Sequence, residues 1–563
     1  MILKALTLEN FKGIREPVRI EFSDITLLFG PNSAGKSTIL HAMHYAKAIL
    51  STASAADRDT YRESSALTPT HGGFQELVNQ HDLEKTIVLT FEIDNPYLAP
   101  DYGQQDRERA LDDSLQVSRM PTGSLSSIAS ASIELRIGWD KTRAQAYVSY
   151  YAVTLDDVRF GVITFFPDDQ EARITWLNYC HPLLIELDPQ YPSYSDWLKD
   201  AGEPDPSDPA ALEGADSNTG LERFVIEYNE EPWSGKQWPI RLKNQQHAIP
   251  AFSNGVVPAL RKGMDRSSSI SMEQIRADEI CCSIACDILS EGFLTPAFSL
   301  HHLLRKSLFL GPLREILPRR LEFEAGALAE QWTTGLAAWA TICNADACFV
   351  AEVNEWLSAS NKLNCGYRVE AFHYRELPVT HPVSKLIFEN QPVERTEDSS
   401  DLGSIPVRTR IRLRENDTNV EVSVQDVGVG ISQMLPLVVA ALHNSEGIIA
   451  IEQPELHIHP ALQVRLGDLF ASQIQVKRGI FLLETHSENL LLRLLRRIRE
   501  TREGKLPDGA PSLVPEQVAV NYIERTPIGV RATRLRVDDE GDFIDEWPGG
   551  FFEESYREKF AGR

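Results

Sequence analysis

The segment GPNSAGKST, at residues 30–38, constrains the fold of this chain more than any other feature. It matches the pattern GxxxxGK[ST], follows a strand-like segment that ends in ITLLF, and opens a segment with helical periodicity. Glycines at these positions let the backbone turn tightly, so that successive N–H groups and the start of the helix face an anion. The sequence therefore predicts a phosphate-binding loop between a buried strand and a helix.

The residues of this loop have predicted roles in binding a nucleoside triphosphate and Mg²⁺. Lys36 is predicted to reach the β- and γ-phosphates, and the Ser37 hydroxyl is predicted to ligate Mg²⁺. The predicted nucleotide-binding residues of the loop are Gly30, Pro31, Asn32, Ser33, Ala34, Gly35, Lys36, Ser37 and Thr38. Such a loop alone does not distinguish kinases, GTPases and ATPases. The carboxylate that completes the Mg²⁺ site must therefore be found elsewhere in the sequence.

GIIAIEQPELHIHP supplies that carboxylate near the other end of the chain. A short apolar strand is predicted to deliver Glu452 to the Mg²⁺ shell. Either Gln453 only orients water, or Glu455 is the general base, or hydrolysis is slow, because an amide cannot accept a proton as a carboxylate does. A further buried strand in FLLETHSEN is predicted to place His486 at the γ-phosphate. The predicted catalytic residues are thus Lys36, Glu452, Gln453, Glu455 and His486.

The order of these motifs resembles the ABC-type ATPase heads of the RecF, SMC and OLD group. The opening LTLENFKGI is similar to their first hairpin, and QDVGVGISQ, at residues 425–433, occupies the position of their signature. In that family the signature of one subunit covers the γ-phosphate held by the other. The resemblance implies that this segment binds ATP: Gly428, Gly430 and Gln433 keep the spacing of the signature, but its usual serine is lost. The N–H groups of Gly428 and Gly430 and the nearby Ser432 hydroxyl are the candidate phosphate donors.

The resemblance implies an α/β P-loop fold of the ABC-ATPase type, a split head with a mixed or parallel sheet flanked by helices. Residues 1–95 are predicted as its N-terminal lobe, 96–405 as an inserted α+β domain, and 406–563 as its C-terminal lobe. Within the insertion, ASIELRIGW and AQAYVSYYAV are predicted strands. By position, Gln80 or Gln75 is the candidate Q-loop glutamine that senses Mg²⁺ and γ-phosphate, and Gln80 is a further candidate Mg²⁺ ligand.

The function implied by the resemblance is an ATP-hydrolysing switch with modest turnover. It would form a head-to-tail homodimer around two ATP molecules, or a higher oligomer, and act on a partner effector such as a nuclease. It resembles in this respect ATPase subunits of anti-phage defence systems such as Septu and PARIS. The TOPRIM nuclease domain of OLD relatives is not predicted. The alternative is a RecF-like DNA-repair or recombination ATPase that binds DNA directly.

Three groups of arginines are open to more than one interpretation. The arginines of one predicted strand share a face that either contacts DNA phosphates or pairs with the excess of acidic residues in the chain itself. Those after the ETHS motif are interpreted as a solvated helix face. Those in FLGPLREILPRR are interpreted as a phosphate sensor, an interface clamp or structural ion pairs. The groups are Arg408, Arg410, Arg412 and Arg414; Arg493, Arg496, Arg497, Arg499 and Arg502; and Arg314, Arg319 and Arg320.

The composition limits the range of partners. With 56 basic and 81 acidic residues the net charge is -25, which argues against coating nucleic acid or anionic membrane with the whole surface. No apolar run approaches the roughly 20 residues of a membrane span, and the pattern of a secretory signal is missing. Seven cysteines without a CxxC pair are typical of buried thiols in a reduced compartment. A cytoplasmic protein with any DNA contact confined to local basic patches is expected.

Overall fold

The computed structural model of the protein divides into two compact units. The described residues are 2–54, 73–96, 128–178, 181, 240–243, 245, 247–252, 255–258, 272–316, 331–377, 379, 408–443, 446–476, 479–527 and 529–548. The first unit contains Met1–Phe22, Pro31–Arg305 and Ile523–Thr533, and the second contains Ser23–Gly30, Lys306–Tyr522 and Arg534–Arg563. The three predicted segments do not coincide with these units, because strands of the predicted insertion continue the sheet that begins at the N-terminus.

The first unit is built on an eight-stranded sheet in the order β2-β1-β4-β5-β6-β7-β8-β9. Its strands are β1 Ile2–Glu9, β2 Val18–Glu21, β4 Ile87–Asp94, β5 Ser130–Asp140, β6 Gln145–Leu155, β7 Val158–Phe166, β8 Glu171–Leu177 and β9 Ile240–Arg241. Neighbouring strands are antiparallel, and β4 alternates buried and half-buried residues as a sheet with one covered face requires. The two strands predicted within the insertion are confirmed as β5 and β6.

Helices of the first unit include the one that follows the loop. They are α1 Lys36–Ser54, the single turn α2 Phe74–Leu77 and the long α3 Met272–Lys306. Glycine allows α3 to lie very close to β7, since a Cβ added at Gly292 would be 2.1 Å from the ring of Phe160. Phe293 fills the reciprocal position against Gly161, and its ring meets that of Phe160 edge-on at 5.2 Å. The predicted helix after the loop is confirmed.

The second unit is built on a mainly parallel sheet in the order β10-β14-β15-β3-β16-β17. The strands of this sheet are β3 Ile25–Phe29, β10 Leu308–Leu310, β14 Ile448–Glu452, β15 Ile480–Glu484, β16 Val518–Thr526 and β17 Gly529–Leu535. Residues Ile523–Thr533 of the last two strands are counted in the first unit. The four pairings from β10 to β16 are all parallel, and β3 is buried along its whole length. A separate antiparallel sheet contains β11 Tyr367–Tyr374, β12 Arg408–Glu415 and β13 Glu421–Val422.

Helices of the second unit share one apolar core with the parallel sheet. They are α4 Leu336–Asn344, α5 Ala347–Ser358, α6 Val429–Leu442, α7 Pro460–Val476 and α8 Glu488–Glu503. Every residue of α6 from Ser432 onward is buried, as its run of small and branched apolar residues predicts. Buried parallel strands that alternate with helices, together with the loop after β3, confirm the predicted α/β fold. Within the described part of the chain, none of the helices combines the length and apolar character that crossing a bilayer requires.

Candidate nucleotide-binding site

The loop that joins β3 to α1 has a backbone conformation suited to an anion. Gly30 and Gly35 have φ values of 141° and 110°, a region that side chains disfavour, and Ser33 has a left-handed φ of 62°. Lys36 is only 3% exposed, and its Nζ donates a hydrogen bond to the carbonyl oxygen of Pro31 at 2.9 Å. The lysine amine therefore lies inside the turn of the loop, where a phosphate group would be bound.

The remaining loop residues complete a donor set that fits a triphosphate and Mg²⁺. Residues 31–33 are exposed, so their backbone is accessible to a ligand, whereas Ala34 and Thr38 are buried. Ser37 is half-buried in the first turn of α1, directly after Lys36, and serine is a residue type expected to ligate Mg²⁺ at this position. The charge, the hydroxyl and the turn geometry thus agree with the nucleotide predicted from the sequence.

The parallel sheet of the second unit brings several of the predicted residues to one edge. Glu452 is level with Glu484 on β15, which is level with Leu28 on β3, and Leu310 is level with Ile451. Since ligands of open α/β sheets bind beyond the carboxyl ends of the strands, the residues at this edge are candidates for the site. The segments that leave the edge are Gly30 after β3, Thr485 and His486 after β15, residues 453–455 after β14 and residues 311–314 after β10.

The turn after β14 is tied to the segment after β15 through Glu455. The Thr485 hydroxyl and the backbone N–H of His486 donate to the two carboxylate oxygens of Glu455, each at 2.7 Å. Gln453, with a left-handed φ of 44°, donates its backbone N–H to the carbonyl of Glu484 at 2.7 Å. Thr485 was not among the predicted site residues, although it directly precedes His486. Both oxygens of Glu455 therefore hold the segment that carries His486.

Replacing Glu455 should separate its positioning role from the role of general base. Glu455→Ala leaves the Thr485 hydroxyl and the His486 N–H without their acceptor, so we expect at least a tenfold loss of ATP turnover and a destabilisation of about 1–3 kcal/mol. Glu455→Gln has one oxygen to accept from His486 and an amide to donate to Thr485, so most of the turnover should remain. Turnover and denaturant unfolding measure both effects. An equally inactive Glu455→Gln variant with normal stability would identify Glu455 as the base.

The start of the signature segment exposes backbone. Gly428 is the N-cap of α6, is exposed, and has open space where a Cβ would stand. A Cβ at Gly430 would lie 3.0 Å from the carbonyl oxygen of His457, so a larger residue would push these two segments apart. The glycines therefore present N–H groups at a helix start and allow a close backbone approach.

The side chains of Ser432 and Gln433 point into the protein. Ser432 is 1% exposed, and its hydroxyl donates to the carbonyl of Val429 at 2.9 Å. Gln433 is 5% exposed and forms two hydrogen bonds with the backbone of Arg314, accepting from its N–H at 3.2 Å and donating to its carbonyl at 2.6 Å. The sequence predicted phosphate contacts for both residues, but their polar side-chain atoms are engaged inside the second unit.

Gln80, a predicted Mg²⁺ ligand, is hydrogen-bonded to a lysine ammonium group, which does not suit a metal ligand. It is exposed in the first unit, with a left-handed φ of 62°, and its side-chain oxygen accepts from Lys85 Nζ at 3.0 Å. An ammonium group thus occupies the oxygen that the sequence analysis assigned to Mg²⁺. The alternative, Gln75, has an exposed side chain in α2, and its backbone carbonyl accepts from the ring of His81. Across the described residues there is no group of three or more His, Cys, Asp or Glu side chains placed to bind a metal.

Three of the four arginines of β12 are paired with acidic side chains, and the fourth, Arg410, is exposed. Arg408 pairs with Glu376 at 2.9 Å, Arg412 with Glu421 at 3.0 Å and Arg414 with Glu370 at 3.1 Å. Arg412 also lies 3.8 Å above the ring of Phe372. Pairing with the acidic excess, the simpler of the two interpretations of this stripe, is therefore confirmed for Arg408, Arg412 and Arg414.

The interpretation of the α8 arginines as a solvated face is wrong for two of them. Arg497 is only 4% exposed and makes a two-point contact with Asp468 of α7, at 2.7 and 3.0 Å. Arg493 is mostly buried and lies 3.7 Å from the same carboxylate, because residues four apart share a helix face. Gly467 makes room for Arg493, since an added Cβ would lie 2.9 Å from its side chain. These arginines fasten α8 to α7. Of the third arginine group, Arg319 and Arg320 lie outside the described residues.

Trp547, close to the end of the described residues, packs against β3, the strand that leads into the loop. The indole of Trp547 meets the ring of Phe29, the final residue of β3, edge-on at 5.5 Å. It also meets the rings of Tyr522 at 5.8 Å and Phe543 at 5.2 Å. Trp547 therefore supports the end of β3.

Three family models match parts of the chain. Residues 1–98 match the model described as "AAA ATPase domain", and residues 352–493 match "AAA domain, putative AbiEii toxin, Type IV TA system". Both are models of AAA domains. Residues 513–561, which include Trp547, match "Protein of unknown function (DUF3696)". The loop and the turn after β14 thus lie in segments similar to AAA domains.

Solved structures that match include SMC heads. An SMC head bound to the C-winged helix domain of ScpA has a TM-score of 0.37 and 9% identity, covering 95% of this chain and 98% of that one. The SMC head domain from Thermotoga maritima has a TM-score of 0.33 and 10% identity, covering 95% and 100%. A Pyrococcus furiosus Smc head with an extended coiled coil, bound to the C-terminal domain of ScpA, has a TM-score of 0.34 and 10% identity, covering 95% and 96%. None of the curated proteins matches the chain.

Proposed function

We propose that this protein is an ATP-hydrolysing switch that closes into a head-to-tail dimer on ATP and passes its nucleotide state to a partner effector. The observation that carries the proposal is the row of strand ends in the second unit. There β3 leads into the loop, β14 presents Glu452, and β15 leads to His486, in adjacent positions of one parallel sheet. The two matches to AAA domains over the same segments support it.

In this proposal the residues of the loop and of the sheet edge have separate roles in binding and hydrolysing ATP. Residues 30–38 bind the triphosphate, with Lys36 at the β- and γ-phosphates, and Ser37 and Glu452 hold Mg²⁺. The bound ion would offset negative charge on the phosphates. Gln453 orients the attacking water, and His486 contacts the γ-phosphate from the segment that Glu455 holds. Because an amide is a poor proton acceptor, hydrolysis is slow, which suits a switch better than a motor.

The dimer contact in this proposal is made by the start of α6. Its exposed N-cap, Gly428, offers backbone N–H groups to the nucleotide held by a second subunit, and these replace the serine of the usual signature. We propose that residues 1–95 and 406–563 carry this machinery and that the residues between them present a surface to the effector, such as a nuclease. We further propose a role in bacterial anti-phage defence; one matching family model is described as a putative toxin of a Type IV TA system. The DNA-binding alternative gains no support from Arg408, Arg412 and Arg414 of β12, which are paired with carboxylates.

Molar mass in solution tests the switch directly. With Mg²⁺ and a non-hydrolysable ATP analogue, light scattering should show the molar mass doubling relative to the ADP-bound and nucleotide-free protein. A Gly428→Asp variant should bind the analogue but stay at the lower mass, because its carboxylate would repel the phosphate of the second subunit. A Gly13→Asp variant is the matched control, since Gly13 is also exposed, its added Cβ also meets open space, and its backbone is outside the left-handed region. A mass that does not respond to nucleotide would exclude an ATP-driven dimer, even if ATP is hydrolysed.

A further inference from the structure

Arg314 connects two parts of the second unit that the proposed function uses separately. It follows β10 at the carboxyl edge of the parallel sheet and is 3% exposed. Its backbone N–H and its carbonyl are both hydrogen-bonded to the side chain of Gln433 in α6. Its guanidinium Nη2 donates to the carbonyl oxygens of Glu452 at 2.8 Å and Gln453 at 3.3 Å. One residue thus joins the signature helix to the end of β14.

Packing leaves the stem of Arg314 little freedom. Gly335 lies against it with a left-handed φ of 79°, and a Cβ added there would be 3.2 Å from Arg314 Cβ and 3.4 Å from Pro436 Cβ. Pro436 belongs to α6, so the stem lies beside the same helix that Gln433 belongs to. A displacement of α6 would therefore be transmitted to Arg314, since tightly packed side chains move together.

The charge of Arg314 is costly in this position. Burial lowers the pKa of its guanidinium to about 10, and the carboxylates of Glu455 and Glu452 act in the opposite direction. Among the described residues, neither Nε nor Nη1 of Arg314 has a hydrogen-bond partner, although both atoms are buried. Buried donors without acceptors destabilise a fold, so an apolar side chain of the same length would serve packing at least as well. The guanidinium is therefore better explained by what it positions than by stability.

We propose that Arg314 is a positioning residue that couples the start of α6 to the turn that carries Glu452 and Gln453. The inference rests on the proposed function, in which α6 meets the nucleotide of a second subunit while Glu452 serves the nucleotide of its own. The same series of contacts continues through Glu455 to His486. A contact at one nucleotide would thus adjust the water-orienting and Mg²⁺-binding residues at the other.

Arg314→Met tests this inference, because it keeps an unbranched stem and removes the guanidinium. We expect the affinity for a fluorescent ATP analogue to change by less than about threefold, and turnover to fall by about thirtyfold or more. The thermal midpoint should change little, because removing two unpaired buried donors offsets the loss of the bonds to the Glu452 and Gln453 carbonyls. Gln433→Leu should reduce turnover in the same way, and the double variant should lose no more than the stronger single variant, since residues that act in series are not additive.

Arg497→Met is the matched control, because Arg497 is another buried arginine of the same unit. Its loss leaves Asp468 without its closest partner, so the thermal midpoint should fall while turnover per folded molecule stays within about twofold. The same pattern in Arg314→Met, or additive losses in the double variant, would overturn the inference. If Arg314→Met fails to fold, Arg314→Lys, which keeps the charge and loses the forked geometry, should still show reduced turnover at normal ATP affinity.

Wild-type turnover separates failure of this inference from failure of the proposed function. A wild-type protein that does not hydrolyse ATP contradicts the proposed function, and the coupling with it. An active wild type that loses turnover when Lys36 is replaced, but keeps it in Arg314→Met, contradicts only the coupling.

Discussion

Replacing Lys36 with alanine should reduce ATP turnover by at least about a thousandfold, because its amine is the one fixed positive charge of the loop at the β- and γ-phosphates. The side chain is buried and bonded to the Pro31 carbonyl within the loop, so its loss removes a preorganised charge that water cannot replace. A coupled assay for phosphate release measures the loss, and the rise of the thermal midpoint with MgATP should disappear in parallel.

Lys4→Ala is the control for that experiment. Lys4 is another lysine of the first unit, and it is well exposed beside Asp94 at 3.8 Å. Exposed pairs of this kind contribute about 0–1 kcal/mol, so turnover should not change. Hydrolysis at the wild-type rate in Lys36→Ala would show that the activity comes from another site or from a contaminating enzyme, and the assignment of residues 30–38 would then be wrong.

Replacing Glu452 with glutamine should lower turnover by at least about a hundredfold while nucleotide binding survives, because the amide keeps the shape of the side chain and loses the charge that holds Mg²⁺. Raising the Mg²⁺ concentration should recover part of the loss. The variant should also stay in the ATP-bound dimer far longer than the wild type does. Proteins that copurify with this trapped form from cells are the candidate effectors.

Glu446→Gln is the matched control, because Glu446 precedes the opposite end of β14 and pairs with Lys306. It removes the same charge close to the same strand, yet at the edge of the sheet away from the proposed site, so turnover should stay at the wild-type rate. If Glu446→Gln and Glu452→Gln lost activity equally, the effect would come from the stability of the strand and not from a ligand of Mg²⁺.

The strands and turns closest to the candidate site could be predicted because their signals are local. The glycine-rich loop, the apolar strand before Glu452 and the strand before His486 each carry their own pattern within a few residues. Strand partners are not encoded in this way. The segments of β5 and β6 were recognised as strands, but only the fold shows that they extend the sheet of β1.

Side-chain directions at the site were harder to predict than its backbone. A serine and a glutamine at signature spacing suggested phosphate contacts, whereas burial of α6 turns Ser432 and Gln433 inward. Arginine is usually exposed, so Arg497 was assigned to solvent, yet Asp468 on a neighbouring helix binds it in the interior. The role of Arg314 was left open between three interpretations, because it depends on residues more than a hundred positions away.

The position of β3 also has a consequence for how the protein is made. β3 leaves the ribosome long before its neighbours β15 (Ile480–Glu484) and β16 (Val518–Thr526), which follow much later in the chain than Ile25–Phe29. At elongation rates of about 5–20 residues per second, the nascent loop waits on the order of half a minute or more for both flanking strands. Chains that terminate before β16 therefore carry the phosphate-binding motif without the sheet that supports it, so ATP should be bound only by chains that include β16.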